Sequence, residues 1–333
     1  MAPKVYITDC EGPVSKNDNA YELAEAFLRE GGRFFALLSK FDDYLGDIRK
    51  VPGYRYGSTL RYILPFFKAV NMTDRDVRDF SERHITIMNG VRETISGISR
   101  IMDSYMVSTS YVHYVEGVCR YVGIPMDRAY CTRLSFDDHI MRDEEKELIL
   151  SYFKRFLELP RITWDEAGVV NDGSLRTIEA LDYFFSYLLP GLPVFGWSSR
   201  VEVIGGEGKA EAIREIVKTK GCTLRDVVYV GDSITDTEAL TLVREGGGAA
   251  ISFNGNRYAV QAAEYMVVAR DAAVLASMVL DFAGGGGEAL MAGRYDEGHT
   301  LVFRKDCCDL NSVTLMSEAT RKEVRGQAIG ELG

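Results

Sequence analysis

The chain has 333 residues, 46% hydrophobic and 26% charged, fractions that are typical of a globular protein and exclude a disordered or fibrous one. Its formal net charge of −10 repels nucleic acid and anionic membrane surfaces, so neither is an expected partner. The length favours more than one structural unit, and six scattered cysteines with no C-x-x-C pair and no signal peptide favour the cytoplasm.

Short runs rich in β-formers alternate with helical patterns along much of the chain. This alternation predicts an α/β fold with a Rossmann-like parallel sheet, in which ligands bind at the carboxyl ends of the strands. The predicted strands cover residues 5–7, 104–107, 129–132, 227–230, 249–253 and 265–268.

Two mostly helical intervals interrupt this alternation. Residues 16–89 form a predicted helical cap and residues 135–199 a second insertion, so the core comprises residues 1–15, 90–134 and 200–283. Four consecutive glycines at 284–287 predict a flexible hinge, which makes residues 284–333 an appendage. No apolar run approaches the roughly 18 residues that a membrane span needs.

The first predicted strand ends in an acidic pair, in the run KVYITDCEGPV. Asp9 and Glu11 follow the strand directly, at the edge where an open α/β sheet presents its functional groups. A carboxylate there is a candidate nucleophile. The pair alone is equally typical of a turn that follows a strand.

A second acidic pair follows the fourth predicted strand, in the run VVYVGDSITD. Asp232 comes directly after the strand, and Asp236 lies one helical turn later, on the same side. Two carboxylates so placed suit Mg²⁺, which takes a few protein oxygens and keeps its other positions for water and phosphate. The alternative is a tight turn with a capping aspartate.

Two further stretches suggest groups that bind a phosphate. Ser108 and Thr109 end the second predicted strand and precede a helix, where hydroxyls and free N–H groups form an anion site, although one hydroxyl could simply cap the helix. Lys209 lies in the first turn of another helix, where a cation opposes the helix dipole, which indicates a role such as neutralising a phosphate. Its alternative is a solvated surface lysine.

In chain order, Asp9-x-Glu11, Ser108, Lys209 and GDSITD resemble the four motifs of the haloacid dehalogenase superfamily. Residues 89–124 are similar to the phosphoserine phosphatase branch, which also has a helical cap between its first two motifs. The D-C-E-G-P form of the first motif resembles a group of archaeal predicted phosphatases, some labelled as the R subunit of energy-converting hydrogenase A.

The resemblance implies a Mg²⁺-dependent phosphomonoester phosphatase that acts on a small phosphorylated metabolite. Asp9 would attack phosphorus to form an aspartyl-phosphate, which water then hydrolyses. Glu11 would protonate the leaving oxygen and later activate the water. The phosphate would be bound by Ser108, Thr109 and Lys209.

The resemblance also implies which groups hold the metal ion. These are Asp9, the backbone carbonyl of Glu11, Asp232 and Asp236. The chain departs from the superfamily at Glu11, where aspartate is usual, and the longer side chain displaces the proton donor. Two alternatives stay open: a phosphotransferase or mutase that uses the same intermediate, and a non-catalytic subunit of a larger complex that keeps the fold.

The predicted cap also contains basic residues among aromatic ones, including the run YRYGSTLRY at residues 54–62. In cap-bearing members of the superfamily such residues close over the substrate. A solvated helix face explains them equally well.

Overall fold

The computed structural model describes residues 3–295, 298 and 300–332. A seven-stranded sheet in the order β3-β2-β1-β4-β5-β6-β7 forms its centre. Six strands are parallel, and β7 pairs antiparallel with β6. The strands are β1 (Val5–Thr8), β2 (Asp103–Tyr111), β3 (Ala129–Thr132), β4 (Val227–Gly231), β5 (Ala249–Phe253), β6 (Tyr265–Val268) and β7 (Leu301–Arg304).

The six predicted strands are confirmed, and the α/β fold class with them. Strands β1, β4 and β5 are buried along their whole length, as expected for apolar runs covered on both faces of a parallel sheet. The central strand β1 lies between β2 and β4, so the carboxyl ends of these three strands are neighbours. The edge of the sheet formed by these ends therefore brings together the segments that follow residues 8, 111 and 231.

Sixteen α-helices surround the sheet in the described part of the chain. They are α1 (Asn19–Phe27), α2 (Gly31–Asp43), α3 (Thr59–Tyr62), α4 (Leu64–Ala69), α5 (Asp74–His84), α6 (Val91–Ile98), α7 (Val112–Val122), α8 (Asp143–Leu157), α9 (Asp172–Tyr183), α10 (Pro193–Ser198), α11 (Glu207–Lys220), α12 (Thr237–Glu245), α13 (Arg257–Ala262), α14 (Ala273–Ala292), α15 (Leu310–Arg325) and α16 (Gln327–Gly330).

The predicted cap and the predicted second insertion pack together through one aromatic core. Phe34 and Phe66 of the cap contact Phe153 of the insertion, with ring centroids 4.8 Å and 6.1 Å away. Phe156 and Phe184 of the insertion belong to the same buried cluster. Burial of these large rings in one shared cluster stabilises the contact between the two intervals. The two intervals thus form one helical body beside the sheet, which we call the helical body (residues 16–89 and 135–199).

A buried histidine joins the helical body to the sheet-bearing core. His113, at the start of α7, lies 2.8 Å (Nε2 to Oδ1) from Asp74, the first residue of α5. The same carboxylate accepts hydrogen bonds from the Ser135 hydroxyl and the Phe136 amide of the second insertion. Burial lowers the pKa of His113, although Asp74 opposes this, so the neutral imidazole is the favoured form.

The chain bends at the predicted glycine hinge. Residues 284–287 lie within α14, which consists of two helical stretches that meet in a kink at Gly286, where φ is 66°. Side chains before and after the kink, including Met278, Phe282 and Leu290, are buried in the main core cluster. The flexibility of this point stays a prediction. By length and composition alone α14 is a candidate membrane span, contrary to the sequence-based expectation, although 33% of that stretch is buried inside the structure.

The segment after α14 is not a separate appendage. Strand β7 extends the sheet, and Val313 of α15 packs against Val260 and Met266. The Ser317 hydroxyl donates a hydrogen bond to the carbonyl of Gly255, 2.7 Å away. The C-terminal segment therefore docks on the core, and α15 reaches the edge of the sheet where β4 ends.

Candidate active site

Asp9 follows β1 directly and lies at the centre of a buried cluster. Its amide donates a hydrogen bond to the carbonyl of Val230 on β4, 2.8 Å away, which fixes the backbone between the two strands. One carboxylate oxygen accepts the Cys10 amide at 2.7 Å, and the other accepts the Lys209 ammonium at 2.6 Å. The Gly12 turn that follows has φ +94°, and a Cβ there would lie 2.2 Å from the Asp232 carboxyl carbon. Only glycine allows this close approach.

Lys209 is not a surface residue. Its side chain is 0% exposed and bridges Asp9 to Asp236, with the ammonium 2.7 Å from Asp236. Helix α11 begins two residues earlier, so the position in the first turn is as predicted. The solvated alternative is wrong, because a lysine buried to this extent needs paired carboxylates.

Asp232 and Asp236 reach the same cluster from the end of β4. One oxygen each from Asp9, Asp232 and Asp236 lie within 4.8 Å of one another. Asp236 accepts from Lys209 and the Tyr229 hydroxyl on one oxygen, and from the amides of Asp232 and Ser233 on the other. The predicted capping turn is thus present too, and Asp236 has less free coordination capacity than its neighbours.

Within the cluster, Asp9 and Asp236 share the Lys209 ammonium but differ in their pKa shifts. Burial raises the pKa of Asp9 to about 8, Lys209 opposes the rise, and Asp236 and Asp232 add to it. Burial also disfavours the charge of Asp236, but Lys209 and hydrogen bonds from the Tyr229 hydroxyl and the Asp232 amide hold its pKa below the ordinary value. Asp236 accepts more donors and so keeps the negative charge. The three neighbouring carboxylates are hard oxygen donors of the kind that Mg²⁺ takes.

The hydroxyl segment after β2 differs from its prediction. Strand β2 continues to Tyr111 and α7 starts at Val112, so Ser108 and Thr109 are strand residues and no hydroxyl caps the helix. Pairing of the long strand with β3 keeps this segment extended. The Ser108 hydroxyl is buried and accepts the Ser110 amide at 3.1 Å. The Thr109 hydroxyl is buried without a partner among the described residues, which leaves it free for a ligand.

Glu11 faces the helical body. Its Oε1 accepts the amide of Asn19, the first residue of α1, at 2.7 Å, and the Ser110 hydroxyl also hydrogen-bonds to it. Burial raises the pKa of Glu11 well above its ordinary value, and the neighbouring Asp18 adds to the rise. A raised pKa favours the protonated carboxyl that a general acid needs. The Glu11 carbonyl as a metal ligand stays a prediction.

Two arginines from α15 complete the cluster, and sequence reasoning missed both. Arg321 and Arg325 each donate to the same oxygen of Asp232, the latter at 2.9 Å. Their side chains are 3% and 5% exposed. The one available signal was their i, i+4 spacing, which places both on one face of the helix.

These groups surround a cleft between the sheet edge, the helical body and the C-terminal segment. It encloses a cavity of about 100 Å³. Tyr56, Gly57, Thr59 and Leu60 of the run YRYGSTLRY line the cleft, but its basic residues Arg55 and Arg61 are not among the lining residues. Arg55 of that run instead pairs with Glu211 at the surface. The predicted residues that line the cavity are Asp9, Glu11, Thr109 and Asp232.

Comparison with known proteins identifies the fold. No protein-family model and no curated protein matches the chain. Gene product AF1437 from Archaeoglobus fulgidus is similar in structure over 100% of this chain and 99% of its own, with 28% identity and a TM-score of 0.88. A phospho-aspartyl intermediate analogue of phosphoserine phosphatase aligns over 81% of this chain and 96% of its own, with 18% identity and a TM-score of 0.50. The chain therefore shares its fold with phosphoserine phosphatase.

Proposed function

We propose that the protein is a Mg²⁺-dependent phosphomonoester phosphatase that forms an aspartyl-phosphate on Asp9 and acts on a small phosphorylated metabolite. The observation that carries the proposal is the convergence of Asp9, Lys209, Asp232 and Asp236 in one buried cluster. This cluster lies at the carboxyl edge of the sheet, where α/β folds place their ligands. The cavity of about 100 Å³ supports a small substrate.

In the first step a carboxylate oxygen of Asp9 forms a bond to phosphorus while the bond from phosphorus to the ester oxygen breaks. The leaving oxygen takes a proton from Glu11, whose pKa is raised by burial, which favours the protonated form. Lys209, already 2.6 Å from Asp9, holds the carboxylate and neutralises developing charge on the phosphoryl oxygens. The buried Thr109 hydroxyl is free to donate to one of those oxygens.

In the second step the oxygen of a water molecule attacks phosphorus, and Glu11, now ionised, takes the proton of the water. The bond between phosphorus and the Asp9 oxygen breaks, which releases inorganic phosphate and restores both carboxyl groups. The metal ion would be held by Asp9 and Asp232, with Asp236 behind them. When bound, Mg²⁺ would neutralise the carboxylates and the phosphate oxygens, so that one anion can approach another.

Release of inorganic phosphate from a panel of phosphorylated metabolites, with Mg²⁺ or with EDTA, tests the proposal. We expect activity that requires Mg²⁺ and is lost in Asp9→Asn but kept in Asp127→Asn, an exposed acid outside the cleft. No release from any compound, together with no Mg²⁺ binding, would favour the non-catalytic subunit. Faster turnover with an added alcohol acceptor, which becomes phosphorylated, would identify a phosphotransferase.

Glu11→Asp tests the departure from the superfamily pattern. The shorter side chain loses the 2.7 Å bond to the Asn19 amide, so the carboxyl is no longer anchored to α1. We expect turnover to fall, because a misplaced proton donor slows catalysis. An increase in turnover would show that the glutamate is a handicap. The cytoplasmic location stays a prediction from the sequence.

A further inference from the structure

One oxygen of Asp232 accepts hydrogen bonds from two guanidiniums. Arg321 and Arg325 of α15 both donate to Oδ2 of this carboxylate, the latter at 2.9 Å. The side chains of Asp232, Arg321 and Arg325 are 2%, 3% and 5% exposed. Solvent and salt screen such buried charges much less than they screen charges at the surface. Asp232 is therefore a carboxylate with two buried cationic partners.

The two arginines balance the charge of the buried cluster. Its three carboxylates pair directly with three cationic side chains among the described residues, which are Lys209, Arg321 and Arg325. Burial raises the pKa of the four other acids that line the cleft, which disfavours their charged forms. These acids are Glu11, Asp18, Asp42 and Asp43. Mg²⁺ held by the three carboxylates would add two positive charges beside the guanidiniums, in a site where like charges repel strongly.

Both guanidiniums also have backbone acceptors, which do not depend on the Asp232 carboxylate. Arg321 donates to the backbone carbonyls of Asp232 and Leu332, at 3.0 Å and 3.4 Å. Arg325 donates to the carbonyl of Lys16 at 3.1 Å. A buried donor that loses its acceptor is unfavourable, but these carbonyls would still serve each arginine if the carboxylate bound a metal ion instead. Each guanidinium can therefore give up the Asp232 oxygen without becoming unpaired.

We propose that Arg321 and Arg325 compete with Mg²⁺ for the Asp232 carboxylate and thereby lower the affinity of the site for the metal ion. This rests on the proposed function, which assigns Asp232 to Mg²⁺, and concerns the regulation of that site. Mg²⁺ gives up its bound water reluctantly and needs short bonds, of about 2.0 to 2.1 Å, to its oxygen ligands. A carboxylate that two cations already engage is a poorer ligand for it. The C-terminal segment therefore sets the Mg²⁺ concentration at which the site fills.

Isothermal titration of the full chain with MgCl₂, in the absence of any substrate, tests the competition. In Arg321→Gln and in Arg325→Gln we expect Mg²⁺ to bind at least about fivefold more tightly than in the unaltered protein, which is the lower end of typical coupling between two ligands. Arg325→Lys keeps the positive charge, so its affinity should lie closer to that of the unaltered protein. Lys322→Gln is the matched control, since Lys322 lies on the same helix and pairs with Glu331 at the surface. Its affinity for Mg²⁺ should not change.

Thermal melting separates competition from a purely structural role. In EDTA both glutamine variants should melt at a lower temperature than the unaltered protein, because each removes a cationic partner from a buried carboxylate. A ligand stabilises the folded state more when it binds more tightly, so Mg²⁺ should raise the melting temperature of these variants by more than that of the unaltered protein. The same measurement establishes that each variant is folded. If Arg321→Gln does not fold, the two variants at Arg325 decide the question.

The competition and the phosphatase activity fail separately. An affinity for Mg²⁺ that is unchanged or weaker in the glutamine variants would overturn the competition, because arginines that only orient Asp232 favour the metal ion. Phosphate release that requires Mg²⁺ would still support the phosphatase in that case. Tighter Mg²⁺ binding in the variants, without phosphate release from any ester, would support the competition and contradict the hydrolytic activity.

Discussion

The buried ammonium of Lys209 provides the sharpest stability test of the site. It lies 2.6 Å from Asp9 and 2.7 Å from Asp236, and its side chain is 0% exposed. Lys209→Met keeps most of the apolar stem but leaves two buried carboxylates without their cation. Removing one partner of a buried ion pair destabilises a protein by about 3 to 5 kcal/mol. We expect a loss of that size in the free energy of unfolding at pH 8 with EDTA.

Lys220 offers a matched control on the same helix. It pairs with Asp103 at the surface, where the two side chains are 27% and 31% exposed. Such a pair contributes about 0 to 1 kcal/mol, so Lys220→Met should be nearly neutral. Urea unfolding followed by circular dichroism measures both variants. Equal, small losses would refute the reasoning that Lys209 compensates buried charge.

Three further predictions concern parts of the fold outside the site. Because burial lowers the pKa of His113, the folded protein loses stability as the pH falls below the ordinary value of 6.5. In His113→Gln the urea concentration at the unfolding midpoint should therefore fall less steeply with decreasing pH below 6.5. An unchanged slope would contradict this. Phe66→Ala should destabilise by about 3 to 5 kcal/mol in thermal or urea unfolding, whereas Tyr183→Ala, at 55% exposure, should stay within about 0.5 kcal/mol; similar losses would argue against the shared aromatic core. In α14 a Cβ at Gly284 or Gly286 meets nothing within 4 Å, but of these two glycines only Gly286 has a positive φ. Gly286→Ala should therefore destabilise the protein by about 1 to 2 kcal/mol and lower its melting temperature, whereas Gly284→Ala should raise the melting temperature. The reverse order would show that the kink is not present.

The sheet could be predicted because its strands have a simple local cause. Runs such as residues 227–230 are continuous β-formers, which is the pattern of a strand buried on both faces. Strand β7 lacks that pattern, since its four residues lie at an exposed edge and Leu301 is 40% exposed. Its pairing with β6 depends on tertiary contact across more than thirty residues, which no local pattern reports.

The acidic part of the site could be predicted for a related reason. Asp9 and Asp232 follow strands that are neighbours in the sheet, so strand order alone brings them together. Arg321 and Arg325 lie 89 and 93 residues from Asp232 along the chain, on a helix whose basic residues would ordinarily face solvent. The four glycines predicted the break in α14 at Gly286, but not the helical stretch after it, whose Leu290 is buried among partners far away in the sequence.

The position of Leu332 on the cavity lining has a practical consequence for protein production. Anything fused after this residue, such as an affinity tag, would emerge beside the cleft and compete with small molecules for it. Residue 3 is exposed and precedes β1, at the opposite edge of the parallel sheet. An N-terminal tag therefore leaves the cleft accessible, and preparations that differ only in which end carries the tag should differ in affinity for small molecules that bind the cleft more than in melting temperature.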